Sequence, residues 1–221
     1  METCVAYGKA VAAYGRRSKW KNALQLTEDM AGRGLETNII IVNSAINACG
    51  KGEEWLNSFT LLSSAIGVEL RPDVFSFNGA ISAVPAHAWQ QALILLERSQ
   101  ADVISYNATM KVCQSWPMSL EIFHALSRNL VPTAMSFGAM TSACEKASCW
   151  ALALHLLNDM EIYLLQSNII VYNSVMSACS KAEQWEQVLR LVQDLNHESL
   201  EADVITYNLM ISAERDWQRV L

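Results

Sequence analysis

IIVYNSVMSACSKAEQWEQVLRLVQDLNHESLEAD, residues 169–203, decides the fold. Its first half carries Tyr172, Val175, Met176 and Cys179 at i, i+3, i+4 and i+7, the apolar stripe of a helix. A polar break follows at Ser180-Lys181-Ala182-Glu183-Gln184. The second half opens on Trp185 and continues through Val188, Leu189, Val192 and Leu195, again at helical offsets. Leu200-Glu201-Ala202-Asp203 closes the stretch. The pattern predicts a helical hairpin whose two apolar stripes cannot both be buried by the hairpin alone.

The hairpin recurs. Tryptophans stand at Trp20, Trp55, Trp89, Trp116, Trp150, Trp185 and Trp217, with gaps of 35, 34, 27, 34, 35 and 32 residues. A period of this length is the signature of a solenoid, in which stacking of successive hairpins supplies the core. Alignment on the motif before each tryptophan gives units 4–38, 39–73, 74–102, 103–133, 134–168 and 169–203 and a partial unit 204–221. The expected architecture is all-α, a single array over 1–221 forming a right-handed α-solenoid of helix-turn-helix repeats, a tetratricopeptide-like superhelix.

The tryptophans open an apolar stripe instead of standing on a polar face. They are therefore read as wedges between helices, partly buried because the indole N–H needs a partner, and not as base-stacking platforms. Units 74–102 and 103–133 have 29 and 31 residues where their neighbours have 35. Shorter helices and a change of pitch are expected there. Pro117 is tolerable in the first turn of a helix, and Pro85 must end or redirect one. Asp73, Asp102 and Asp203 precede first helices, where a carboxylate caps free N–H groups; capping alone is one reading of them.

Composition narrows the function classes. An apolar fraction of 52% with 17% charged residues excludes disorder. No apolar run is long enough to span a membrane. The net charge of -6 argues against a nucleic-acid binder, which is usually basic. The start, Met1-Glu2-Thr3-Cys4-Val5-Ala6-Tyr7, enters the repeat at once and offers neither a signal peptide nor a transit segment. A cytoplasmic protein or a trimmed segment of a longer one is expected. Cys49, Cys144 and Cys179 share one repeat position and form no CxxC cluster, so they are read as buried thiols. His87, His124, His155 and His197 have no HExxH spacing, and no phosphate-cradling GxxxxGK occurs. No enzyme, cofactor or metal is expected.

The motifs VITYNLMISA at 204–213, IIVYNSVMSACSKA at 169–182 and VISYNATM at 103–110 resemble the pentatricopeptide repeat family. So do Asp29-Met30, Asp159-Met160 and the endings Gly34-Leu35 and Arg71-Pro72-Asp73. The resemblance covers 218 of 221 residues. The tryptophan that opens the second helix departs from the plant-type pattern and resembles algal and dinoflagellate versions.

The family implies single-stranded RNA binding in a mitochondrion or chloroplast, one nucleotide per repeat, in processing, stabilisation or translation of transcripts. It implies that the fifth and last residues of a unit face the base edge: Gly8 with Asn38, Asn43 with Asp73, Asn78 with Asp102, Asn107 with Thr133, Gly138 with Asn168, and Asn173 with Asp203. Asn offers a donor and an acceptor and a carboxylate accepts, which suits the edge of an unstacked base. The Asn–Asp pairs resemble uracil readers, so uridine-rich RNA is expected; Asn107 with Thr133 is open, a pyrimidine being one choice. A helix N-terminal hydrogen bond is the alternative role for the asparagines. The second residues, Val5, Ile40, Phe75, Ile104, Met135, Ile170 and Ile205, would sandwich the bases, with inter-repeat packing as the alternative. Arg16, Lys51, Lys146 and Lys181 share one position and resemble phosphate contacts. A protein-interaction scaffold of the tetratricopeptide-like type is the rival reading, with a protein partner in the same groove.

Overall fold

A computed structural model describes residues 2–17, 19–35, 37–68, 70–198 and 200–220; the side chains of residues 2–4, 16 and 214–220 lie outside the description, and with them the Arg16 and Trp217 side chains. Among the described residues there are thirteen α-helices and no strand. They are α1 (Glu2–Arg16), α2 (Trp20–Gly32), α3 (Ile39–Lys51), α4 (Trp55–Gly67), α5 (Val74–Ala83), α6 (Trp89–Arg98) and α7 (Val103–Val112). Then come α8 (Trp116–Asn129), α9 (Ala134–Ala147), α10 (Trp150–Ile162), α11 (Ile169–Lys181), α12 (Trp185–His197) and α13 (Val204–Val220). A single 3-10 turn, Ala86–Ala88, follows Pro85. None of these helices is long and apolar enough to cross a membrane.

Local chemistry explains the boundaries. The last residue of a repeat caps the helix that opens the next one. Asn38 Oδ1 accepts from the Ile41 N–H at 3.0 Å, and Asn168 Oδ1 from the Val171 N–H at 3.0 Å. Asp73 forms a reciprocal capping box with Ser76. Each satisfies a helix N–H that has no partner inside the helix. First helices end in a six-to-one closure: the N–H of Glu54, Cys149 and Gln184 donates to the carbonyl of Cys49, Cys144 and Cys179 at 3.0, 2.9 and 2.9 Å. The residue before each donor, Glu53, Ser148 or Glu183, takes a positive φ near 60°, as this type of cap requires.

The chain divides into two compact units, Met1–Val112 and Cys113–Leu221. In the first, α1, α3, α5 and α7 pack in succession, while α2, α4 and α6 each touch the following first helix. Its core joins Val42, Ile46, Leu62, Ile81 and Leu95 in one cluster and Val11, Met30 and Ile41 in another. In the second, α9, α11 and α13 pack in succession, with α8, α10 and α12 beside them. Phe137 is fully buried there and meets Phe123 edge-on, with centroids 5.1 Å apart. Both units are all-α stacks of helix–turn–helix repeats, the solenoid class.

Every second helix from α2 to α12 starts at its tryptophan. Trp20, Trp55, Trp89, Trp150 and Trp185 are half-buried, and Trp116 is exposed. The Trp20 ring lies so close to Gly52 that an added Cβ would come within 2.1 Å of its Cδ1. Here the wedge fills the space left by a glycine of the following repeat.

The expectation of shorter helices in the middle holds for α5, α6 and α7, ten residues each, and fails for α8, which has fourteen. Pro117 sits in the first turn of α8, where its missing N–H costs nothing. The residues missing from that repeat come out of its turn. Cys49, Cys144 and Cys179 are buried, free thiols. Burial, with smaller charge effects at the first two, pushes their pKa values up to about 11, 12 and 11, as desolvation of a thiolate demands.

Candidate nucleic-acid interface

The site is built from one turn of each first helix. The second residue of each repeat lies on a face that no neighbouring hairpin covers. Val5, Ile40, Phe75, Ile104, Met135, Ile170 and Ile205 are all exposed, from 57% to 77%. Packing between repeats is therefore not their role. Seven apolar side chains at one repeat position, all left in water, form a recurring unpartnered feature.

Beside them stand the fifth residues. Asn43 Nδ2 donates to Asp73 Oδ1 at 3.0 Å. The same oxygen accepts the Ser76 N–H at 2.9 Å. Asn78 repeats this with Asp102 at 3.2 Å, and Asn173 with Asp203 at 3.0 Å. The aspartates thus cap the next helix and hold the asparagine amide at once. The asparagines bond to the last residue of their own repeat, where it caps the next first helix, and not to their own helix N-terminus.

A hydroxyl closes each cluster. Ser76 Oγ donates to Asn43 Oδ1 at 2.6 Å, Ser105 Oγ to Asn78 Oδ1 at 2.6 Å, and Thr206 Oγ1 to Asn173 Oδ1 at 2.8 Å. Sequence reasoning passed over these three hydroxyls, although they occupy one repeat position.

The carboxylates stay charged. Burial raises the Asp73 and Asp102 pKa values, but hydrogen bonds from Ser76 and Asn43, and from Ser105 and Asn78, outweigh it. Both end below the ordinary aspartate range. At Asp203 the Thr206 N–H leads, and the shift is again downward.

The remaining pairs differ. Asn107 Oδ1 is buried without a hydrogen-bond partner. Thr133 stands at the start of α9, its N–H donating to Ser136 Oγ at 3.1 Å. At Gly8 a Cβ would meet Ile41 Cγ1 at 3.3 Å, and at Gly138 it would meet Val171 Cγ2 at 3.8 Å. Their partners Asn38 and Asn168 spend their side-chain oxygens on capping.

In the first compact unit these parts converge on an open cleft of about 670 Å³. Ile40 and Phe75 flank it, Asn43, Asp73 and Asn78 line it, and Lys51 stands at its rim with Asn47. That volume lies within the range of small-molecule sites. Lys51 and Lys146 are exposed. Lys181 is not free: its Nζ lies 3.2 Å from Glu145 Oε1, which also accepts from Ser177 at 2.9 Å. Arg16 falls outside the described side chains. No group of three His, Cys, Asp or Glu residues able to hold a metal occurs among the described residues.

Residues 167–213 match the PPR repeat family, a segment that takes in α11, α12 and the opening of α13. No protein of curated function matches the chain by sequence. Among solved structures, the pentatricopeptide repeat protein PPR10 from maize is similar at 19% identity and a TM-score of 0.72, over 98% of this chain and 33% of that one. PPR10 in complex with an 18-nt psaJ RNA element gives 18% identity and a TM-score of 0.79, over 97% and 34%. The PPR domain of Arabidopsis thaliana protein-only RNase P 1, in complex with tRNA, gives 10% identity and a TM-score of 0.56, over 96% and 98%. These likenesses establish the fold. The chain spans about a third of the PPR10 chain.

Proposed function

We propose that this chain, a helical-repeat solenoid with a PPR repeat at 167–213, binds single-stranded RNA along the open face of its first helices. The observation that carries the reading is the cleft lined by Ile40, Phe75 and the hydrogen-bonded pair Asn43–Asp73. Two apolar side chains can cover both faces of a flat ring, and stacking of that kind is tolerant of sequence. The amide and carboxylate then meet the ring's edge, which is how unstacked bases are told apart. The likeness to PPR10, whose structure holds an RNA element, supports the same ligand class.

The finer reading extends from there. Each repeat takes one nucleotide, the pairs Asn43–Asp73, Asn78–Asp102 and Asn173–Asp203 favour uracil, and Lys51 and Lys146 hold phosphates. The setting is transcript processing, stabilisation or translation in a mitochondrion or chloroplast. The two glycine repeats contribute stacking without a side chain to read the edge.

Titration with uridine-rich RNA against adenosine- and cytidine-rich controls tests this. The wild-type chain should favour the uridine-rich strand. Asn43→Ala should narrow that preference while leaving the controls nearly unchanged. Equal binding of all three strands by both proteins, or no binding, would sink the reading and promote a protein ligand in the same groove.

A further inference from the structure

We infer that the third residue of the repeat that follows Asn43, Asn78 and Asn173 sets base selectivity, through a hydroxyl that fixes which end of the reading amide faces the ligand. The inference rests on the RNA reading above and adds a residue to it.

The first argument is hydrogen-bond arithmetic. Asn43 has one acceptor oxygen and two N–H donors. Its oxygen lies 2.6 Å from Ser76 Oγ, closer than the 2.9 Å from that hydroxyl to Asp73 Oδ1, so the single hydroxyl proton goes to the amide oxygen, and one amide N–H goes to Asp73 Oδ1. Ser76 Oγ in turn accepts the Asp73 N–H at 3.1 Å. Turning the amide over would set its oxygen against a carboxylate oxygen, two acceptors with no proton between them. The hydroxyl and the carboxylate therefore select one orientation. What remains without a protein partner among the described residues is one Asn43 N–H and Asp73 Oδ2, a donor beside an acceptor.

The same arrangement is repeated in the other compact unit. Asn173 is only 8% exposed, so its oxygen depends on the Thr206 hydroxyl, which is itself fully buried. Losing that donor would leave a buried acceptor unpaired, which is costly.

The second argument is in the chain itself. Each Asn whose oxygen accepts such a hydroxyl has Ser or Thr three residues into the next repeat: Asn43 with Ser76, Asn78 with Ser105, Asn173 with Thr206. Asn107 has Ser136 at that place in the sequence, but its oxygen takes no hydrogen bond among the described residues. Both glycine repeats have an aliphatic residue there, Ile41 after Gly8 and Val171 after Gly138. Those side chains sit against the glycines, within 3.3 and 3.8 Å of where a Cβ would be. A capping role alone does not account for this pairing, because Asn38 and Asn168 cap without any hydroxyl at the third position.

The test compares wild type, Ser76→Ala and the conservative Ser76→Thr by selection from a random single-stranded RNA pool. It is joined to the side-chain amide signals of Asn43 in nitrogen-15 NMR spectra. Ser76→Ala should lose selectivity at one nucleotide position by about tenfold, the factor one oriented hydrogen bond carries, and shift the Asn43 amide signals. Positions read by other repeats should be unchanged, and Ser76→Thr should behave as wild type. A helix cap with no part in reading would weaken all RNAs alike. Wild-type selectivity retained in Ser76→Ala overturns the role of the hydroxyl alone. A wild-type chain that selects no base overturns the RNA reading, and this role with it.

Discussion

Leu164 shows how much a single backbone angle can decide. It follows α10 with φ 53°, and Leu165 donates back to the Met160 carbonyl at 2.9 Å. The equivalent place after α2 is Gly34, at φ 65°, with Leu35 donating to the Met30 carbonyl at 3.0 Å. One closure is thus made with glycine and once with leucine. The left-handed conformation costs a non-glycine residue about 1–2 kcal/mol. The Leu164 side chain is 93% exposed, so it returns no packing. Leu164→Gly should therefore stabilise the protein. The net gain, after the extra entropy glycine gives the unfolded chain, should reach up to about 1 kcal/mol, read as a higher midpoint of urea unfolding.

Among elements, the joints between repeats are where stability and recognition share atoms. Asp73 caps α5 and holds Asn43 through one oxygen. Its folded pKa is lowered, so the unfolded chain binds the proton more tightly. Stability from this group is present above the unfolded value, about 3.9, and is lost as pH falls through the folded one. Asp102 and Asp203 act in the same direction. Unfolding free energy should be flat near neutrality and fall in acid below about pH 4. Asparagine caps about as well as aspartate but does not titrate. Asp73→Asn should therefore keep the cap, lose the charge-dependent part of its stability at neutral pH, and make the acid limb shallower in urea unfolding measured from pH 3 to 7.

For the whole molecule, the balance to explain is an acidic chain, net -6, proposed to bind a polyanion. The excess negative charge weakens long-range attraction, so the few basic side chains on that face matter individually. Lys51 lines the cleft and is exposed, whereas Lys181 is tied to Glu145. Lys51→Ala should weaken binding of all single-stranded RNAs alike and reduce the salt slope by about 0.7, the value for one phosphate on a single strand. Lys181→Ala should change less, because its ammonium is held by Glu145 instead of being free to meet a phosphate. Titrations across salt concentrations separate the two; a larger loss for Lys181→Ala would show that the Glu145 pair opens on binding.

The chain by itself determined the repeat. Its period, the tryptophan that opens each second helix and the residues at which first helices begin at Ile39, Val74, Val103, Ala134, Ile169 and Val204 follow from local pattern and capping chemistry. Such signals act within one hairpin and are legible in order along the chain. Tertiary structure decided which faces stay uncovered. Ile40 and Ile41 are adjacent and chemically alike, yet one is exposed and the other buried, because only the neighbouring hairpin determines which side water reaches. It also joined Asn43, Asp73 and Ser76 across a repeat boundary and turned Lys181 toward Glu145. Partners about thirty residues apart are brought together by stacking, and no local propensity encodes that distance.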